Sequence, residues 1–318
     1  MQFPSVQPSR VPVWVWRALM ARMAPGENRR LNRTPISEVD YTLDIDYVGD
    51  GIASHRLDLL VPREEATELQ QGLPIYLYFH GGGWTSGDKA PLTKYCASQA
   101  VAGIAVVNSN YRLATRFQMG HMLRDANAAL RWVAENATSF GGDPSRIVLG
   151  GDSAGGQIAA MLAASANYRE LREHYHLEPV PGVRVCGVVQ HCSMVDFAVL
   201  FERGFVLSLE FARMLLPARG KGLVLRTAAR TLSPIEWLSP EFPPVLVTTS
   251  EQDFFYRANL GFVRELMRHG VAVETLVFDR HATNTRHTWQ QDASFPESQA
   301  VYRRVQDFVH RVTESAPA

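Results

Sequence analysis

Apolar positions change period repeatedly along this chain. In YTLDIDYV (41–48) and RLDLLVP (56–62) they alternate with polar ones, which predicts half-buried strands, whereas PIYLYF (74–79) and GIAVVNSNY (103–111) read as more completely buried ones. In MLRDANAALRWVAENA (122–137), Ala126, Ala129, Leu130 and Val133 recur at helical spacing and form one core-facing stripe, and the glycines and proline of FGGDP end that helix. Beyond it the pattern predicts a strand at RIVLGG (146–151), a helix at AGGQIAAMLAA (154–164), and strands at VRVCGVVQHCS (183–193) and PPVLVTTS (243–250). A helix at RANLGFVRELMRHG (257–270), a strand at VAVETLVF (271–278) and a helix at SQAVYRRVQDFVHRV (298–312) complete the series. Strands separated by helices imply right-handed crossovers, hence an α/β fold with a mainly parallel central sheet and helices on both faces.

Two segments stand outside the alternation. Residues 1–40 precede the first strand, and residues 195–240 lie between two strands that a single crossover helix would join. The second segment holds GFVLSLEFARMLLPARG, rich in large apolar residues and poor in charge. The domain expectation is therefore a core of 41–194 and 241–318, an N-terminal cap segment of 1–40, and a cap or lid insertion of 195–240. Trp14, Trp16 and the stretch from Phe205 to Leu216 are expected to cover an apolar pocket.

Composition narrows the partners. The chain has 318 residues, enough for a sizeable core, and 32 basic against 32 acidic residues leave no net field to recruit nucleic acid or an anionic surface. A small, roughly neutral molecule is the expected partner, and a homodimer is the candidate assembly. Cys96, Cys186 and Cys192 form neither an even framework nor a metal quartet and read as buried small hydrophobes in a reducing, cytoplasmic setting. VPVWVW (11–16) is interrupted by Arg17 and Arg22 and is too short for a membrane span, so no stable membrane insertion is expected, although the segment has the make-up of one that touches lipid.

Chemistry is expected just after the strands, where open parallel sheets bind ligands. After RIVLG stands Gly151-Asp152-Ser153-Ala154-Gly155, a G-x-S-x-G between a strand and an alanine-rich helix. Its glycines permit a sharp turn that lifts the Ser153 hydroxyl above the sheet at the positive end of the helix dipole, so Ser153 is the candidate nucleophile. After PIYLYF come His80-Gly81-Gly82-Gly83-Trp84. A serine attacking an ester builds negative charge on the carbonyl oxygen, and backbone N–H groups without side chains in the way stabilise it; Gly81, Gly82, Gly83 and Ala154 are the candidate donors. His80 reads as a residue that orients the loop, and Trp84 as its anchor.

HGGGW, SNYRLA and FGGDPSRIVLGGDSAGG, in this order of elements, resemble the hormone-sensitive-lipase-type branch of the α/β-hydrolase carboxylesterases, close to the bacterial acetyl esterases, over roughly residues 70–312. Asp152 before the nucleophile matches that branch; related arylformamidases usually carry histidine there. The resemblance implies a Ser, Asp, His triad in that chain order and no metal or organic cofactor. For the acid, Asp253 and Glu251 both follow PPVLVTTS; Asp253 fits better, although Phe254-Phe255 replaces the family's Pro-Leu. For the base, His281 and His287 follow VAVETLVF, and His287-Thr288-Trp289 matches the usual histidine, small residue, aromatic pattern. Thr115-Arg116 replaces the usual Pro-Glu after YRLA, and Arg280, Asn284 and Arg286 crowd the histidine loop as solvated groups or as contacts for an acidic substrate group. The expectation is a serine carboxylesterase for short- to medium-chain acyl esters. An arylformamidase-like amide hydrolase and a non-catalytic small-molecule receptor on the same fold are the alternatives.

Overall fold

The computed structural model describes residues 11–63, 72–217 and 225–314; the outer end of the N-terminal cap expectation (1–10) and part of the insertion (218–224) lie outside them. In chain order the elements are α1 (Val13–Leu31), β1 (Val39–Asp46), β2 (Arg56–Pro62), β3 (Leu73–Phe79), α2 (Thr93–Ala100), β4 (Ala105–Ser109) and α3 (Met119–Asn136). Then come β5 (Gly142–Asp152), α4 (Ala154–Ser165), α5 (Arg169–Tyr175), β6 (Val185–His191), α6 (Glu210–Arg213) and α7 (Leu225–Arg230). The last four are β7 (Val245–Ser250), α8 (Tyr256–Arg268), β8 (Val273–Phe278) and α9 (Pro296–Glu314).

One sheet of eight strands runs in the order β1-β2-β4-β3-β5-β6-β7-β8. Both β1–β2 and β2–β4 pair antiparallel, and every pair from β4 to β8 is parallel, so the functional ends of β3, β5, β6, β7 and β8 share one rim. All seven positions of β3 are buried, because helices cover it on both faces. One helical layer includes α3 and α4, whose Ala126, Ala129, Ile158 and Leu162 join the core with Leu77 and Leu149; the other includes α2 and α9, which close over Tyr76, Val106 and Val148.

The expected alternation in 56–62 is not what β2 does. Leu57, Asp58, Leu59 and Leu60 are all buried, since β2 lies between β1 and β4 and is covered on both sides. Asp58 tolerates this because Lys89 Nζ donates to its carboxylate at 2.6 Å, a pairing that offsets part of the cost of burying charge. Half-burial is found instead in the edge strands β1 and β8. Two helices that periodicity did not reveal, α2 and α5, are short, and their apolar residues face the core without a long stripe.

Insertion 195–240 is broken into 3-10 turns at Phe197–Phe201 and Pro234–Trp237 and the short helices α6 and α7. Phe211, Ala212 and Leu215 are buried in the main core. Among the described residues no helix is long and apolar enough to cross a membrane.

The closest approach of a glycine to backbone is where α4 meets β3: a Cβ on Gly155 would fall 2.0 Å from the Phe79 carbonyl oxygen. Gly155→Ala is expected to lose at least about 3 kcal/mol, the upper end of overpacking penalties because backbone cannot yield. Thermal or urea unfolding beside the wild type checks this; an unchanged midpoint would mean the helix is free to move off the strand.

Candidate active site

Ser153 sits at the turn from β5 into α4 with φ 52° and ψ −114°, a conformation a side chain rarely adopts. It is held from both sides: Ser153 N–H donates to the His191 carbonyl at 2.9 Å, and the Ser153 carbonyl accepts from Met194 N–H at 3.1 Å. The turn closes because Gly151 has no Cβ to meet Gly155, which would lie 2.4 Å away. The result is the strained elbow the motif predicts, with the hydroxyl at the N-terminus of α4.

His287 and Asp253 arrive from the loops after β8 and β7. His287 Nε2 is 3.0 Å from Ser153 Oγ, and His287 Nδ1 is 2.5 Å from Asp253 Oδ2. The other carboxylate oxygen accepts from Phe255 N–H at 2.6 Å, which fixes the carboxylate plane. The alternative residues lie elsewhere: Glu251 pairs with Arg280 at 3.0 Å, and the exposed His281 donates its N–H to Asp279. Phe254-Phe255, the departure from Pro-Leu, packs on the imidazole with ring centroids at 4.2 and 5.6 Å, and Phe205 of the insertion backs both rings. Cys192 Sγ, Asp253 and His287 present polar atoms within 4.8 Å of one another, two of them already joined by the imidazole–carboxylate hydrogen bond. Burial pushes the Cys192 thiol up, and the neighbouring Asp253 charge adds to this, so it stays protonated beside the acid.

The glycine loop is held through its carbonyls. His80 Nδ1 lies 2.7 Å from the Gly81 carbonyl, and Ser86 Oγ and Trp16 Nε1 donate to the Gly82 carbonyl at 2.7 and 3.3 Å. A trans peptide points its N–H opposite to its C=O, so these contacts fix the directions of the Gly82 and Gly83 N–H groups. Among the described residues neither N–H, nor that of Ala154, has a protein acceptor. Gly81 differs from the expectation: its N–H donates to Asp152 Oδ1 at 3.1 Å, which spends the donor on the loop's own anchorage. His80 does orient the loop, stacked on Tyr111 with centroids at 4.5 Å, and Trp84 anchors it by donating to Gln157 Oε1 at 2.7 Å.

Asp152 is the residue whose role sequence reasoning did not derive, having noted it only as a match of motif. Fully buried, it accepts from Tyr78 Oη at 2.7 Å, Gly81 N–H at 3.1 Å and Gln291 Nε2 at 2.9 Å. One carboxylate thus ties together the elbow, the glycine loop and the histidine loop. Burial pushes its carboxyl up, and the Tyr78 hydrogen bond pulls the other way. Nothing in the spacing of Asp152, Gly81 and Gln291 announces this clamp, because the three sit on segments far apart in the chain.

A cavity of about 1140 Å³ opens over Ser153 and His287, lined by α1 (including Trp14, Trp16, Met20 and Met23), the glycine loop, and Trp289, Gln291 and Phe295. Of the two segments expected to form a cap, α1 lines this cavity. Among the described residues none from 195–240 lines this cavity; the stretch around Phe205–Leu216 instead supports α1, through Val11 paired with Leu207, Val13 N–H on Glu210 Oε2 and Phe211 edge-on to Trp16. Its apolar side chains other than the exposed Val206 pack on the core, which is the physical reason it does not roof the site. Of the polar loop residues, Arg280 is tied to Glu251, while Asn284, which donates to Glu297, and Arg286 both line the cavity.

The family model for the alpha/beta hydrolase fold matches residues 76–283, and the chain belongs to that family. Carboxylesterase NlhH of Mycobacterium tuberculosis (strain ATCC 25618 / H37Rv) is 46% identical over 99 residues, 31% of this chain and 31% of its own. A probable carboxylic ester hydrolase of the same strain, LipM, is 26% identical over 248 residues, 75% of this chain and 55% of its own. The chain thus spans about a third to a half of the length of these curated relatives. Esterase B from Lactobacillus Rhamnosis (HN001) has the same fold, with a TM-score of 0.81 over 94% of each chain at 22% identity.

Behind the elbow, His191 is buried between Tyr95 Oη at 2.8 Å and Thr248 Oγ1 at 2.7 Å, and burial lowers its pKa from 6.5 to about 3. Unfolding therefore takes up a proton below pH 6.5, so this histidine's contribution to stability is complete above that value and is lost as pH falls towards about 3. His191→Gln is expected to flatten stability against pH in that window, as read by urea unfolding at several pH values; an unaltered slope would assign the acid sensitivity to other groups.

Proposed function

We propose that this protein is a serine carboxylesterase that hydrolyses short- to medium-chain acyl esters through an acyl-serine intermediate. The observation that carries the reading is the unbroken hydrogen-bonded row Asp253–His287–Ser153 set at the floor of an apolar cavity. The esterases and lipases among the chain's relatives support it.

In this reading Ser153 Oγ attacks the acyl carbon while His287 Nε2 takes its proton, and Asp253 holds the Nδ1–H tautomer and stabilises the imidazolium. Charge on the carbonyl oxygen is met by the N–H groups of Gly82, Gly83 and Ala154, Gly81 being engaged with Asp152; loss of one such donor typically costs a hundredfold or more in rate, on the order of 3 kcal/mol. The bond to the alcohol oxygen breaks, and His287 gives the alcohol its proton. Water then attacks the acyl-serine with His287 as base, which releases the acid and restores Ser153. The apolar wall from α1 takes the acyl or alcohol chain, and the substrate is a small ester rather than a nucleic acid, for which the balanced charge offers no field. Three buried cysteines outside any disulfide support a cytoplasmic setting.

Ser153→Ala is expected to abolish turnover of p-nitrophenyl butyrate without changing the unfolding midpoint, and Asp253→Asn to lower kcat by about ten-thousandfold through the wrong tautomer. A serine variant that keeps most of the activity would overturn the reading; turnover confined to N-formyl aryl amines would move it to the amide hydrolase. Trp16→Ala, which enlarges the cavity beside Gly83, is expected to shift the optimum of an acetate-to-dodecanoate series towards longer chains, and an unchanged profile would take α1 out of the acyl site.

A further inference from the structure

α1 is the least covered helix over the cavity, and its outer surface has a chemistry the hydrolysis of a soluble ester does not use. Val13 and Leu31 turn inward and are buried, whereas Trp14 is 71% exposed, Leu19 48% and Met23 44%. The 3.6-residue period puts Arg22 and Arg29 on the same outer arc as Trp14 and Ala18. Over residues 11–34 there are five arginines and one acid, Glu27, in a chain whose total is 32 of each sign. Arg30 is engaged with Glu27 and Asp292. Arg17, Arg22, Arg29 and Arg33 meet no carboxylate among the described residues. Exposed apolar side chains among cations that meet no carboxylate among the described residues, with Glu27 the one acid of the segment, are the make-up of a helix that lies in the plane of a lipid interface.

We propose that the outer face of α1 docks the protein on an anionic lipid surface, with Trp14 on one flank and Leu19 and Met23 on the other entering the headgroup layer, and with Arg22 and Arg29 between them and Arg33 just past the helix end meeting lipid phosphates. Trp14, Leu19 and Met23 also line the cavity over Ser153, so docking would set the mouth of the site against the surface and let an ester pass from lipid to serine without crossing water. This rests on the esterase reading for its purpose, not for its physics. A second copy of the chain is the weaker occupant: a two-fold contact would bring α1 against itself and press like charges together. An anionic surface removes that repulsion, and each basic side chain near it strengthens binding by roughly fivefold.

The test is sedimentation of the full chain with vesicles of phosphatidylcholine, alone or mixed with phosphatidylglycerol, at low and high salt, with p-nitrophenyl butyrate turnover measured in parallel without lipid. The wild type and Ser153→Ala are expected to pellet with the mixed vesicles and not with phosphatidylcholine alone. The combined Arg22→Glu, Arg29→Glu, Arg33→Glu variant, whose three positions lie outside the cavity lining, is expected to bind at least about a hundredfold more weakly with its soluble-ester rate unchanged, which also shows that it folds. Trp14→Ser is expected to weaken the binding that survives high salt. The proposal is overturned if the active wild type ignores anionic vesicles, if the triple-arginine variant binds as the wild type does, or if Trp14→Ser instead breaks a dimer in solution that binds no vesicle. Vesicle binding that depends on the arginines, without ester turnover by any folded form, would uphold the surface and sink the esterase reading.

Discussion

Everything at this site depends on one backbone turn that an L-amino acid resists. Ser153 stands at positive φ between β5 and α4, and a conformation of this kind costs on the order of 1–3 kcal/mol unless its surroundings impose it. The surroundings do so on three sides. His191 and Met194 grip the serine's own peptide groups, Gly151 and Gly155 let strand and helix pass without side chains, and α4 buries all twelve of its residues in the core. The strain is therefore held by the packing of the whole sheet, and the hydroxyl is delivered to the same place however the loops around it differ.

Asp152 extends that rigidity to the loops. A buried carboxylate is costly, yet this one receives three donors from three different parts of the chain, and hydrogen bonds to a charged acceptor contribute about 1.5–3 kcal/mol each. The arrangement commits Gly81's amide to Asp152 and leaves the N–H groups of Gly82, Gly83 and Ala154 without a protein acceptor among the described residues. The glycine loop and the histidine loop thereby share their reference point with Ser153. Flexibility in the run of three glycines is not flexibility in the folded loop, because Ser86, His80, Trp16 and Trp84 hold its carbonyls and its side chain.

The two segments outside the α/β alternation divide the work between them. α1 forms the wall of the cavity, while the 195–240 insertion forms the support on which α1 and the Phe254–Phe255–His287 stack rest. Apolar content alone did not separate these roles. A large hydrophobic side chain satisfies a core, a pocket wall or a lipid surface equally well, and which it meets is decided by what packs against it.

Local patterning determined a good deal. The order of strands and helices, the parallel sheet and the elbow at Ser153 were legible because period and glycine placement act within a few residues. The histidine and the acid were legible only as pairs of candidates, His281 with His287 and Glu251 with Asp253, since each pair shares a loop and either member has the right chemistry. In the folded chain His287 and Asp253, not His281 and Glu251, make the hydrogen-bonded row to Ser153: the distance from Ser153 Oγ and the Phe255 N–H that orients Asp253 exist only once β5, β7 and β8 lie side by side. It also buried β2 on both faces, committed Gly81 to Asp152 and put Trp16 on the Gly82 carbonyl. Each is a contact between residues far apart in the chain, and no sequence period records it. What the sequence determined by itself were elements and the kind of chemistry at their ends; which groups meet, and which donors remain free, was decided by packing.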